Sequence, residues 1–377
     1  MRPIFDPRLL ARFDVGLLLA TLAITGIGSL TVYSATFDPV AGGSGFALRQ
    51  IGFATIGLLA ALGMTAFDYR KLERWAPLIY GLSVALLGAV LLVGQVGGGS
   101  RRWIGAGPLR LQPSETVKLA LVVLLARYYH HRERPEGLRL RDLGWPILWT
   151  ATPAALILVQ PDLGTAGVLG LVAVSVTCMA GLSRGTLGII GVGVAAFVPI
   201  APILFGQLKT YQQKRILTFL DPESDPLGAG YHVIQSKIAI GSGGFLGKGY
   251  LSGTQTRLDF LPEQHTDFVF SVLSEEWGFV GAAVVVGLYL ALILRGLVVV
   301  HRAKERFGTL LAFGVLANIF WQATINLGMI TGLFPVVGIT LPFVSYGGSS
   351  LVTLMLGVGL VLNVNMRRLS RERLPRL

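Results

Sequence analysis

Long apolar blocks, many running past about 18 residues with almost no charge, set the first limit on what this chain can fold into, because that is the length a helix needs to span a bilayer. Only 14% of the 377 residues are charged and 53% are hydrophobic, whereas a soluble domain of this size carries roughly a quarter charged residues. The 49 glycines agree, since glycine is commoner in membrane helices than in soluble ones. The sequence predicts an all-α membrane protein, a polytopic bundle of about ten transmembrane helices. The spans fall at roughly 14–36, 48–67, 75–95, 114–128, 144–159, 163–181, 185–206, 267–299, 308–331 and 347–366. A long extracytoplasmic loop, 207–266, separates spans seven and eight, and residues 1–377 read as one integral membrane domain. The stretch Val15–Ala35 exceeds the apolar core of a signal peptide and is read as the first span.

A net charge of +12 suggests nucleic acid in a soluble protein, but its placement argues otherwise. The short segments Asp68–Arg74, Arg127–Asp142, Ser183–Gly185, His301–Phe307 and Arg367–Leu377 are basic, and together with the N-terminus and Arg295 they hold 21 of the 32 lysines and arginines when placed on one side. The positive-inside rule makes that side the cytoplasm. Both termini are then cytoplasmic, and no nucleic-acid partner is implied. The single cysteine, Cys178, excludes an internal disulfide or a cysteine-built metal cluster and reads as a small core residue.

Four stretches concentrate polar chemistry. The first, LPEQHTDFVFSVLSEEWG at Leu261–Gly278, places Glu263, His265, Asp267, Glu275 and Glu276 at the outer entrance of an apolar helix. Ionisable groups near hydrocarbon are expensive, about 2.5–3.5 kcal/mol each at mid-membrane on insertion scales. The plainer reading is that Thr266 or Asp267 caps the helix. The second, GGGSRRWIGAGPLRLQPSETVK at Gly97–Lys118, reads as a glycine-rich external loop with Arg101, Arg102 and Arg110, ending in a helix start capped by Ser114. Glu115 and Lys118 lie three apart and can pair. The third is QPDLGT at Gln160–Thr165, where Asp162 either caps the next helix or serves a site. The fourth, LPFVSYGGSS at Leu341–Ser350, offers hydroxyls such as Ser345 and glycines suited to close approach. Within the long loop, Tyr231, Ile234 and Ile238 give Tyr231–Ile240 the spacing of a short interfacial helix, and the run Gly241–Gly249 favours tight turns.

Several chemistries are excluded. The run Gly243–Gly249 has Ser242 where a phosphate loop needs its first glycine and Gly249 where it needs Ser or Thr. HExxH and an EF-hand pattern are absent from the sequence, and there is no GxSxG with a triad.

The stretches RRWIGAGPLRLQPSETVK, QPDLGTA, FPVVGITLPFVSYGGSS and the whole run from RILTFLDPESDPLGAGYHVIQSK to FLPEQHTDFVFSVLSEEWG resemble the SEDS family, whose branches are RodA and FtsW. The wording FPVVGITLPFVSYGG and the brief N-terminal tail are more similar to the RodA branch. The resemblance implies a peptidoglycan glycosyltransferase that polymerises lipid II at the outer membrane face during elongation and rod-shape maintenance. It implies an essential aspartate at Asp267, and substrate-binding or supporting roles for Glu115, Lys118, Asp162, Arg102, Arg215, Lys237 and Ser345. It further implies a class B penicillin-binding protein transpeptidase as partner, with other elongation-complex proteins and membrane lipids around it. This chain carries no SxxK with KTG of its own.

The implied chemistry suits one carboxylate. Glycosidases need two because an alkoxide leaves poorly; a lipid diphosphate leaves readily, so one base suffices and the second need is positive charge. Asp267 would take the acceptor proton, and Arg102, Arg215, Lys237 or a divalent cation such as Mg or Mn could steady the diphosphate. No cofactor is otherwise implied. Two other classes fit parts of the pattern. A lipid II flippase would also use buried ionisable groups, but the polar motifs cluster at external helix ends and no inverted repeat is visible. A non-catalytic scaffold would not need every acidic motif.

Overall fold

A computed structural model describes residues 9, 11–37, 45–97, 100–106, 109–197, 206, 213, 217, 229–258, 260–261 and 263–368. The chain is a helical membrane bundle. Its helices are α1 (Val15–Ala35), α2 (Gly45–Ala66), α3 (Arg70–Val93), α4 (Pro113–His131), α5 (Gly144–Val159), α6 (Leu163–Ala180), α7 (Arg184–Phe197), α8 (Ala229–Ser242), the short α9 (Thr254–Arg257), α10 (Val269–Arg302), α11 (Arg306–Thr331) and α12 (Gly348–Arg367). Eight described stretches are long and apolar enough to cross a membrane: α1, α2, α3, Leu140–Val159 containing α5, α6, α10, α11 and α12. The two remaining expected spans are α4, whose helix carries Glu115, Lys118 and Arg127, and α7, whose continuation lies outside the described residues.

Burial is not set by hydropathy alone. Helices α2 and α3 expose most of their apolar surface to the lipid, whereas α12, with Ser349, Ser350, Thr353, Asn363 and Asn365, is buried along nearly its whole length. Lipid is as apolar as leucine, so membrane helices associate through close packing and small residues. A Cβ on Gly359 would lie 2.5 Å from the Ala61 carbonyl, and one on Gly57 would lie 2.9 Å from Met355, which is how α2 and α12 come into contact. Cys178, expected in the core, instead lies on the exposed face of α6.

Between α3 and α4 the expected glycine-rich loop forms a three-stranded antiparallel sheet, β1 (Gln95–Gly97), β2 (Ser100–Ala106) and β3 (Leu109–Leu111), in that order. Sheet pairing satisfies backbone groups locally, and Pro113 at the first turn then starts α4. The cap position is Gln112 with no side-chain bond, so the expected capping by Ser114 does not occur.

The decisive irregularity lies in α10, where Gly278 adopts φ 64°, ψ −162° and kinks the helix. Helix-breaking backbone at membrane depth survives only where other protein groups satisfy it. The run after α8 does so: Lys248 and Gly249 amides donate to the Glu275 and Glu276 carbonyls at 3.0 Å each, and the Phe279 amide donates to Gly244 at 2.9 Å. Positive φ at Gly244, Gly247 and Gly249 provides the tight turns expected of this run. Helix α8 forms where expected, but its buried stripe is Val233, Ser236 and Ala239, with Ile238 exposed. The reason is packing: Ser236 Oγ donates to the Ile330 carbonyl at 2.8 Å and meets Ser271 Oγ at 2.7 Å, which larger side chains would prevent.

A Cβ at Gly278 would lie 2.3 Å from the Gly247 nitrogen and would hold an unfavourable φ. Gly278→Ala should therefore destabilise the fold by about 2 kcal/mol or more, read as a lowered thermal midpoint of the detergent-purified protein; an unchanged midpoint would contradict this account of the kink.

Candidate active site around Asp267

Asp267 ends the turn that leads into α10. The plain capping role is excluded, because the cap of α10 is Phe268 and no side chain caps it. Among the described residues the Asp267 carboxylate accepts no hydrogen bond and forms no ion pair, although three neighbours fix its backbone. Asn326 Nδ2 donates to the Asp267 carbonyl at 2.8 Å and to Ile339 at 2.6 Å. Ser345 Oγ donates to the Thr266 carbonyl at 2.5 Å while accepting from the Leu341 amide at 2.8 Å. The Tyr346 amide donates to the His265 carbonyl at 2.9 Å. The segment Leu341–Tyr346 is thus a brace behind the aspartate, and it is itself seated on α1, where a Cβ on Gly28 would lie 2.4 Å from Val344. Ser345 is buried and holds backbone.

Burial pushes the Asp267 carboxyl up to about 6; the Glu263 and Asp162 charges raise it further, and the Arg102 guanidinium pulls it back. His265 packs on Phe46, with ring centroids 5.0 Å apart, and near Tyr346; burial pulls its imidazole down and favours the neutral ring.

Arg102 and Asp162 meet beside this turn. Arg102 Nη1 lies 3.7 Å from Asp162 Oδ2, and its Nε and Nη2 donate to the Gln160 and Pro161 carbonyls at 3.1 and 3.0 Å. Asp162 also caps α6, accepting from the Thr165 amide at 3.1 Å and its hydroxyl at 3.0 Å. Of the two readings of Asp162, the cap is therefore observed, and the same carboxylate also pairs with Arg102.

Glu115 and Lys118 form a buried pair at 2.8 Å, and Ser350 Oγ donates to the other Glu115 oxygen at 2.9 Å. They tie α4 to α12 rather than touching Asp267. Lys237 is exposed on α8, its Nζ lying 2.6 Å from the point a Cβ on Gly332 would occupy, over the C-terminal end of α11. Arg215 lies outside the described residues.

The two glutamates after Asp267 separate into different roles. Glu275 Oε1 accepts from Lys248 Nζ at 2.6 Å, from the Thr254 amide at 2.8 Å and from the Gln255 amide at 3.1 Å, so it ties Lys248 to the start of α9. Glu276 accepts from Ser34 through one oxygen, while its Oε2 has no hydrogen-bond partner among the described residues and the residue lines a cavity of about 630 Å³ shared with Arg257 and His265. Among the described residues, the group of three metal-type ligands that converges is Glu73, His130 and His131, away from Asp267. Asn326 was not singled out in the sequence, yet Asn318, Gln322 and Asn326 recur every fourth residue inside an apolar span, a polar stripe that marks an inward face.

The fold and site define a class: a multi-pass membrane protein whose carboxylate at the mouth of a span is braced through its backbone and has no side-chain partner among the described residues. The chain belongs to the FtsW/RodA/SpoVE family of cell cycle proteins, whose profile matches residues 15–370. It is 43% identical over 355 residues to the peptidoglycan glycosyltransferase MrdB of Escherichia coli K12, covering 94% of each chain. It is 39% identical over 366 residues to the stage V sporulation protein E of Bacillus subtilis, covering 93% of this chain and 96% of that one. Among solved structures it is similar to a chain of a peptidoglycan synthase complex that coordinates polymerization and crosslinking, with a TM-score of 0.80, 38% identity and coverage of 95% and 98%. The rod shape determining protein RodA of Thermus thermophilus matches with a TM-score of 0.69, 32% identity and the same coverage.

Two outcomes follow from the geometry. A carboxyl whose folded pKa exceeds its unfolded value favours folding below the unfolded pKa, and that contribution is lost as pH rises through about 6. Asp267→Asn should therefore raise the thermal stability at pH 8, by about 1–3 kcal/mol, with no gain below about pH 4; a destabilised variant at pH 8 would contradict the burial account. Lys118→Met should leave Glu115 buried and unpaired, destabilising by about 3–5 kcal/mol, and Glu115→Gln added to it should recover most of that loss in the same melting assay.

Proposed function

We propose that this chain is a peptidoglycan glycosyltransferase that polymerises lipid II at the outer face of the bacterial inner membrane, with Asp267 as general base. The observation that carries the reading is the Asp267 carboxylate itself: it caps nothing, pairs with no described group, and is held by its backbone at the entrance of α10. A base with a pKa near 6 is ionised at neutral pH and still basic enough to accept a hydroxyl proton.

In the proposed step the acceptor 4-hydroxyl attacks the donor anomeric carbon as the carbon–diphosphate bond breaks. The hydroxyl proton passes to Asp267 and the electron pair leaves with the lipid diphosphate. A single displacement inverts an α-linked donor to a β-linked product. Arg102, which lies beside Asp162, is proposed to attract the departing anion, with Lys237 and Arg215 supplying further positive charge. Glu115, Lys118 and Ser345 would act by holding α4, α12 and the Asp267 turn in register. The basic end of the bundle, with both termini, is assigned to the cytoplasm, and a class B penicillin-binding protein is assigned as the cross-linking partner in elongation. The similarity to a chain of a peptidoglycan synthase complex supports that partnership.

The test is gel-resolved polymerisation of labelled lipid II by the purified chain with its transpeptidase partner. Asp267→Asn should lose activity by about 10²-fold or more, and wild-type activity should rise with pH through about 6 as the carboxylate ionises. Equal product from Asp267→Asn would refute the base assignment, and no product from wild type would refute the polymerase.

A further inference from the structure

At the end of the bundle opposite Asp267, a groove of about 520 Å³ opens between α3, α4 and α5, within the range that ligand pockets occupy. Its lining changes character along its length. Pro77, Tyr80, Leu124 and Trp149 form the deeper wall, and Arg127, His131 and Arg132 form the mouth. On α4, Leu124, Arg127, Tyr128 and His131 recur at three- and four-residue spacing, so this is one helix face turning from apolar to basic over about 10 Å. Pro77 interrupts the hydrogen-bond ladder of α3 beside the groove.

The charge at the mouth is in surplus. Asp142 is a single buried carboxylate shared by Arg132 and Arg134, each at 3.3 Å. Glu73 faces His130 and His131 at 3.7 and 3.4 Å. Arg127 forms no ion pair among the described residues, and the Arg132 guanidinium is steadied 4.7 Å over the Tyr128 ring. An apolar wall facing hydrocarbon and an uncompensated cation at its headgroup end match the polarity of a phospholipid. Basic pockets between membrane helices on the cytoplasmic side recognise anionic headgroups in this way.

We propose that this groove binds an anionic phospholipid of the cytoplasmic leaflet, its phosphate on Arg127 and Arg132 and its acyl chain along Tyr80, Leu124 and Trp149. The proposal rests on the cytoplasmic assignment of this end made above and is independent of the chemistry at Asp267.

Native mass spectrometry of the full, detergent-purified chain tests it, with phosphatidylglycerol titrated against phosphatidylethanolamine and inorganic phosphate. Wild type should retain one phosphatidylglycerol in preference to phosphatidylethanolamine, and Arg127→Ala should weaken it by about tenfold. Arg302→Ala, a basic residue elsewhere at the same end, should leave it unchanged, and Trp149→Ala should weaken retention without altering charge. Melting temperatures of the same samples establish that each variant is folded. Wild-type retention by folded Arg127→Ala, equal loss in Arg302→Ala, or displacement by equimolar inorganic phosphate would each overturn the lipid site. Asp267→Asn should bind the lipid as wild type does, so failure here leaves the polymerase reading standing, and failure of that reading leaves this one.

Discussion

Inside a bilayer every backbone amide and carbonyl must find a partner within the protein, and this structure is organised around a place where a spanning helix cannot satisfy that rule by itself. At Gly278 the ladder of α10 is interrupted, and the backbone of the glycine run after α8 fills the gap with amide and carbonyl bonds on both sides of the kink. That docking fixes the glycine run after α8 to the bundle and leaves the Glu275 side chain to hold Lys248 and the start of α9. Glycine is required on both partners because the backbones approach more closely than any Cβ allows.

The same economy holds Asp267. Its side chain is kept free by assigning all the restraining bonds to main-chain carbonyls of residues 265–267, reached by Tyr346, Ser345 and Asn326 from two other elements. A carboxylate restrained through its own oxygens would have a lowered pKa and no lone pair for substrate. Restrained through its backbone, it is positioned and still basic, and burial beside Glu263 and Asp162 raises it. The charged groups at the opposite end follow a different logic: there the arginines outnumber their carboxylate partners, and the surplus faces a groove lined with aromatic and aliphatic side chains.

The spans, the family and the aspartate were legible in the sequence because each rests on a local pattern: apolar length, basic flanks, and a motif contiguous in the chain. Asn326 was not legible in the sequence and the segment from Leu341 to Tyr346 only in outline, since their partners lie about 60 to 80 residues away and no local spacing reports such contacts. The sheet Gln95–Leu111 was read as a loop because its short strands are broken by glycine. Helix α8 was placed correctly with its buried face displaced, because serine and alanine, rather than isoleucine, suit a close membrane contact.

By itself, then, the sequence determined that the chain spans a membrane many times, which end is basic, and which acid lies at the mouth of a span. Hydropathy and charge act residue by residue and need no partner to be read. Only the tertiary structure decided that the polar-studded α12 is the centre while the most apolar helices face lipid, that Asp162 both caps and pairs, that Glu275 is structural, and that Asp267 alone among these acids has no described partner. Those outcomes depend on which donors arrive from distant segments, and a free carboxylate is defined by neighbours that the local sequence does not contain.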